Sequence, residues 1–269
     1  MFLGAIGAGH MGMVILDSFV KHSNIKAADI LVYEIDEKRR QTLKSQGYAL
    51  AEDEACVFAK SDILLLAVTP QQSKHLLEKL SACAKTKPVI FSIMAGINSD
   101  YIRKYLGQDT AVICAMPTMA MKTGHGSTAL SHTANSPAES VKFVLDMFNK
   151  TGEAIIADEA ALMEIVGVGG CMPGYVYFLL DAFAEAASAK GIDYKTALRM
   201  AAFGFIGAAG QVLETENPKE LISQICTPGG LTAQGIDSLK RNQVDKLIYE
   251  ALCASIKRGY DLANEVAND

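Results

Sequence analysis

No two cysteines in this chain stand at C-x-x-C spacing. The six (Cys56, Cys83, Cys114, Cys171, Cys226, Cys253) are scattered, which argues against a zinc ribbon or a disulfide scaffold and for a reducing compartment. The five histidines show no ligand spacing either, so no metal is expected. No Lys/Arg cluster exceeds two or three residues, and the formal net charge is −5. Without a basic field there is little to hold a phosphate backbone, so nucleic acid is not an expected partner. No uninterrupted apolar run approaches the ~18 residues of a membrane span, so none is expected. Nor is a signal peptide: Met1 already falls in the first strand pattern, and glycines break the early apolar run. Repeats, low-complexity tracts and long linkers are missing too. What is present is an ordinary balance, 50% hydrophobic and 20% charged over 269 residues. That length suits one large domain or two modest ones with a sizeable core, and the expected setting is soluble and cytoplasmic.

The first part of the chain alternates short apolar runs with helical patterns. "MFLGAIG" reads as a buried strand, residues 10–22 as a helix, "DILVYE" (29–34) as a second strand and 36–47 as a polar helix. "SDILLLAV" (61–68), "KPVIFSI" (87–93) and "TAVICAM" (110–116) continue the strands, with a helix from Pro70 to about Cys83. Continuous apolar strands are those covered on both faces, and their alternation with helices predicts a Rossmann-like, doubly wound parallel sheet. After about residue 160 the texture becomes helical, with long Ala-rich helices at 175–191 and 194–214 and another at 243–265. Helix 194–214 is apolar nearly all round, which predicts burial against a second copy of the chain. The expected division is a dinucleotide-binding domain over 1–157 and an all-helical substrate and dimerisation domain over 158–269.

"GAIGAGHMG" carries G-x-G-x-x-G at Gly7, Gly9 and Gly12, between a strand and a helix. The first glycine permits the tight turn, the second lets a pyrophosphate approach the backbone, and the third lets helix and strand pack closely. Ala8, His10 and Met11 complete the loop, and the helix N-terminus offers N–H groups to the phosphates. Glu34 ends the second strand near the ~20-residue offset of a ribose-binding carboxylate, which favours NADH over NADPH. Lys38, Arg39 and Arg40, one helical turn on, are placed to pair with a 2′-phosphate instead. Two further strand-end loops, "VTPQ" with Val68, Thr69 and Pro70 and "MAGI" with Ala95 and Gly96, are candidates to flank the nicotinamide and its ribose.

Together "GAIGAGHMG", "LAVTPQ", "FSIMAGI", "AMPT", "ADEAALMEIVGVGGCMPGYVY" and "TPGGLTAQG" resemble the pyrroline-5-carboxylate reductase family, in order and over almost the whole chain. The resemblance implies hydride transfer from NADH or NADPH to the cyclic imine L-1-pyrroline-5-carboxylate, giving proline. It also implies interlocked dimers through the C-terminal helices, which in the family sometimes build larger rings. On that resemblance the substrate carboxylate rests on Pro228, Gly229 and Gly230, with Leu231 beside them, and the catalytic Thr232 hydroxyl approaches the imine nitrogen. Glu159 and Gln224 match further substrate-binding positions. Physically, glycines let the backbone close on an anion, and a helix starting near Gly230 points its N-terminus at it.

The chain also departs from the family pattern. Gly169 and Cys171 stand where serines are usual, Thr118, Met119 and Ala120 replace Asn, Thr and Pro, and Thr69 replaces a lysine. Two other readings therefore stay open: a reductase for another cyclic imine or small acid, and a non-catalytic, dinucleotide-binding regulatory paralogue.

Overall fold

The computed structural model describes residues 2–22, 24–83 and 87–268, with side chains to Glu265; Met1, expected in the first strand, lies outside them. The elements run β1 (Leu3–Ile6), α1 (His10–His22), β2 (Ile30–Tyr33), α2 (Glu37–Ser45), β3 (Ala49–Leu50), α3 (Glu54–Lys60), β4 (Ile63–Leu66), α4 (Pro70–Ser81), β5 (Val89–Ser92), α5 (Ser99–Leu106), β6 (Val112–Met116), β7 (Gly126–His132), α6 (Ala138–Asn149) and β8 (Gly152–Ile156). Helices follow: α7 (Leu162–Gly169), α8 (Met172–Ser188), α9 (Tyr194–Thr215), α10 (Pro218–Ile225), α11 (Leu231–Arg241) and α12 (Val244–Asn268).

One sheet takes the order β3-β2-β1-β4-β5-β6-β7-β8. Leu3 of β1 lies in register with Ile30 of β2 on one side and Ile63 of β4 on the other. Alternate strand residues face opposite ways. Ala5, Val32, Leu65 and Phe91 pack with Phe19 of α1 and Phe148 of α6 on one face. Ile6, Leu31, Leu66 and Ile90 pack with Phe58 of α3, Leu77 of α4 and Ile102 of α5 on the other. The expected fold class is therefore present, with one correction: β7 runs antiparallel to β6, while β8 is parallel to β7. The link 117–125, with its short 3-10 helix Met119–Thr123, explains it, because a parallel return needs a crossover of about a dozen residues or more.

By packing, the chain forms two compact units, residues 1–170 with 255–269, and 171–254. This division differs from the expected one at 157/158, because α7 packs on β7 and the last part of α12 belongs with the sheet. In the helical unit α8 and α9 pair closely, with Phe183 and Phe205 in an edge contact at 6.2 Å. Their outer faces stay open: Phe178 is 71% exposed, Met200 68% and Phe203 65%. By length and composition alone, α9 and the stretch 159–188 would suffice to cross a membrane.

Candidate functional site

The order of the sheet reverses direction between β1 and β4, and in such folds ligands sit at the carboxyl ends of the strands there. The glycine loop occupies that point. Gly7 has φ +91°, and a Cβ on it would come within 2.6 Å of the Ala67 carbonyl at the end of β4. A Cβ on Gly12 would come within 2.8 Å of the Gly7 carbonyl. Both are structural glycines. Gly9 differs, since the nearest atom to a Cβ there is the Arg39 guanidinium, 3.8 Å away. That side of the loop is open, as the approach of a pyrophosphate to the backbone requires. The first turn of α1, with His10, Met11 and Gly12, carries no acidic residue, and its free amides and dipole end suit a pyrophosphate.

Glu34 is 4% exposed at the end of β2. Its Oε2 accepts from the Ala8 N–H at 2.7 Å and its Oε1 from the Asp36 N–H at 2.9 Å. The carboxylate is thus fastened to the cofactor loop itself. Arg39 reaches within 3.9 Å of Glu34 and is half exposed. Arg40 turns back and donates to the Glu34 carbonyl at 3.1 Å. Lys38 is exposed.

Thr69 precedes α4, and its N–H and hydroxyl both donate to Gln72 Oε1, at 3.1 and 3.0 Å. With Pro70 as the first helical residue, this fixes the exit from β4 beside Val68. Beyond β5, Gly96 turns with φ +78°, and Met94 and Ile97 are buried while Ala95 is exposed. All these residues belong to the sheet unit.

The late glycine turn belongs to the helical unit. Gly229 has φ +74°, and the Gly230 N–H donates to the Thr227 carbonyl at 2.9 Å. Gly230 caps α11 in extended conformation, with no side chain on the first amides and no acidic residue in the first turn. Leu231 is 95% exposed and Thr232 is exposed. Gln224 on α10 donates to Glu220 at 3.4 Å. The turn thus presents backbone amides with no side-chain cap and, on Thr232, an exposed hydroxyl.

Residues 159–262 match the family model for pyrroline-5-carboxylate reductase dimerisation, and residues 3–96 that for NADP oxidoreductase, coenzyme F420-dependent. The chain is 30% identical to pyrroline-5-carboxylate reductase of Escherichia coli K12, covering 97% of this chain and 98% of that one. It is 29% identical to the same-named protein of Methanosarcina acetivorans, covering 98% of each. The solved structure of a pyrroline-5-carboxylate reductase from Coxiella burnetii superposes with a TM-score of 0.89 at 26% identity, covering 97% of this chain and 98% of that one. The chain belongs to the pyrroline-5-carboxylate reductase family.

Its departures from the reductase pattern have local explanations in two places. Thr118 is buried, and its hydroxyl accepts from the Ser127 N–H at 3.1 Å, which fixes the start of β7. Gly169 lies against the same serine: a Cβ there would come within 2.7 Å of Ser127 Oγ. Glycine at 169 therefore leaves room for the Ser127 hydroxyl. Met119 is partly exposed, and nothing in the structure explains it.

Sequence reasoning missed Ser99. Its N–H and hydroxyl both bind Glu159, at 2.7 and 2.5 Å. The available signal was "NS" (98–99) opening a helix directly behind "MAGI". Among the described residues, no group of three or more His, Cys, Asp or Glu is arranged to hold a metal.

Proposed function

We propose that this chain reduces the cyclic imine L-1-pyrroline-5-carboxylate to L-proline with NADH or NADPH, taking the substrate carboxylate on the backbone of its late glycine turn. Family membership makes the chain an NAD(P)H-dependent oxidoreductase and supplies the substrate class. The observation that carries the residue assignment is the first turn of α11, uncapped by any side chain and free of acidic residues, behind Gly229 and Gly230. A carboxylate there gains about 0.3–1 kcal/mol from the helix dipole, up to about 2 when partly buried. Each charge-assisted hydrogen bond adds roughly 1.5–3 kcal/mol.

When bound, the nicotinamide supplies a hydride to the carbon of the C=N bond. The chain's own task is to hold the ring and hand its nitrogen a hydrogen-bond partner. Gly229, Gly230, Leu231 and Gln224 form the carboxylate side, and Thr232 faces the nitrogen. A protonated imine is already electrophilic, so orientation and exclusion of water supply much of the rate. Gly7, Ala8, Gly9, His10, Met11 and Gly12 take the pyrophosphate, Glu34 the ribose, and Val68, Thr69, Pro70, Ala95 and Gly96 the nicotinamide half. The pinned carboxylate of Glu34 supports a preference for NADH.

The open faces of α8 and α9 meet a second copy rather than lipid, consistent with the dimerisation model that spans them. In role, though not in packing, residues 158–269 then serve as substrate and dimerisation domain and 1–157 as cofactor domain, with dimers assembling into a ring. Six unpaired thiols fit a cytoplasmic setting.

Thr232→Ala tests the assignment. Purified protein oxidising NADH with the imine should lose about 10²-fold in turnover, with NADH affinity unchanged. Equal loss of both would remove Thr232 from the imine. Absence of turnover in the unmutated chain, with tight NADH binding, would favour a regulatory dinucleotide binder.

A further inference from the structure

Ser99, Glu159 and Cys114 form a polar cluster in the sheet unit that the glycine loop does not use. Glu159 opens the short 3-10 helix after β8, and each oxygen of its carboxylate accepts one hydrogen bond from Ser99. Ser99 is the first residue of α5 and is buried. Its amide is one of those a helix leaves unfilled at its start, because the Asn98 cap serves Tyr101 instead. A carboxylate on that amide also meets the positive end of the helix. Cys114, buried on β6, closes the cluster with its sulfur 4.0 Å from the Ile97 carbonyl. Burial pushes its thiol up, and the nearby Glu159 charge acts in the same direction.

Directly in front of Ser99 lies loop 94–98. Met94 and Ile97 anchor it in the core, and Gly96 presses against Ala263 of α12, to which a Cβ would come within 3.1 Å. Only Ala95 and Asn98 are exposed. The loop runs directly into the first turn of α5, where Asn98 caps the Tyr101 amide and Glu159 holds the Ser99 amide and hydroxyl.

We propose that Glu159, acting through Ser99, is a positioning residue that holds loop 94–98 in register for the nicotinamide half of the cofactor. The resemblance implies a substrate contact for Glu159; in the structure each of its oxygens accepts one hydrogen bond from Ser99, and titrations with cofactor and imine tell a positioning role from a substrate contact. The inference rests on the assignment of loop 94–98 to the cofactor, and the experiment separates the two.

Full-length Ser99→Ala, Glu159→Ala, the double variant and Ala95→Leu would be titrated with NADH and with ADP-ribose, which lacks the nicotinamide. Steady-state KM for the imine would be taken at saturating NADH. Expected is a loss of about tenfold or more in NADH affinity for Ser99→Ala and Glu159→Ala. ADP-ribose binding and imine KM should be unchanged, and the double variant no worse than Glu159→Ala. Ser99→Thr, which keeps amide and hydroxyl, should restore NADH affinity. Glu159→Ala raising only the imine KM would overturn the proposal in favour of a substrate contact. Ala95→Leu weakening NADH while both cluster variants bind it normally would overturn the clamp alone. Ala95→Leu leaving NADH untouched would remove the loop from the cofactor, and the proposal with it.

Discussion

The sheet unit hides Phe19, Phe58, Phe91 and Phe148 completely, whereas the helical unit buries only Ala184 and Ala197 among its described residues. In the sheet unit Phe91 stacks with Phe19 at 6.4 Å and meets Phe148 edge-on at 5.9 Å. That unit satisfies its hydrophobic surface from within. The helical unit leaves Tyr177, Phe178, Phe203, Ile206 and Leu213 in solvent, and an apolar groove of about 580 Å³ runs between α8 and α9, lined by Phe183, Gly204, Phe205 and Ala208. Covering a Phe, Ile or Met side chain is worth roughly 1.5–3 kcal/mol. The sheet unit thus has a core of its own, while the helical unit leaves its apolar surface for a partner to cover. The small residues of α9 (Ala201, Gly204, Ala208) let a facing helix approach closely.

The sharpest way to break that contrast is to put charge on the open face. Ile206→Asp leaves the sheet unit untouched and places a carboxylate where a second copy is expected. Interface centres of this kind cost about 2–4 kcal/mol when disrupted. The expected result is a monomer by sedimentation at micromolar concentration and turnover reduced about 10²-fold or more, with NADH affinity retained. A dimer with full activity would mean that the exposed face of α9 is not the interface.

A second comparison lies inside the sheet unit. Gly7→Ala forces an L residue to φ +91° and drives a Cβ into the Ala67 carbonyl, which costs roughly 1–3 kcal/mol and lowers Tm by about 2–4 °C per kcal/mol. Gly9→Ala adds a methyl to open space, with only the Arg39 guanidinium at 3.8 Å, so Tm should hold while NADH affinity falls about tenfold. Thermal melts with and without NADH check both. If Gly9→Ala also destabilises the apo protein, Gly9 is a packing residue and the cofactor loop loses its clearest ligand-facing position.

The sheet was legible because "ILLL" and "VIFS" are continuous apolar runs covered on both faces, and such runs have few other uses. β7 and β8 were not, because "GSTALSH" and "GEAII" mix polar residues and glycine into strands toward one end of the sheet, β8 being its edge. β3 spans two residues, too short for any periodicity. The glycine loop was legible because its spacing has a mechanical reason, and Gly7 and Gly12 meet backbone as that reason requires. The Glu159–Ser99 pair was not, since its partners stand 60 residues apart and neither is unusual alone. The all-round apolar character of α9 showed that it needed cover. The residues at the start of α7 carried no sign that this helix packs with the sheet.

The smallest expected effect concerns the ribose end. Glu34 cannot swing away from a 2′-phosphate without releasing the Ala8 and Asp36 amides, and like charges at close range are costly. Glu34→Ser removes the charge and one of the loop's anchors together. Activity with NADH should fall a few-fold as the Ala8 amide loses its acceptor, and activity with NADPH should rise, narrowing the kcat/KM ratio about tenfold. Arg39, now 3.9 Å from the carboxylate, becomes free to meet the phosphate. Arg39→Ala should therefore weaken NADPH in the Glu34→Ser background and change little in the parent. An unchanged ratio would remove Glu34 from the ribose, and an equal effect of Arg39→Ala in both backgrounds would mean that the two side chains do not compete.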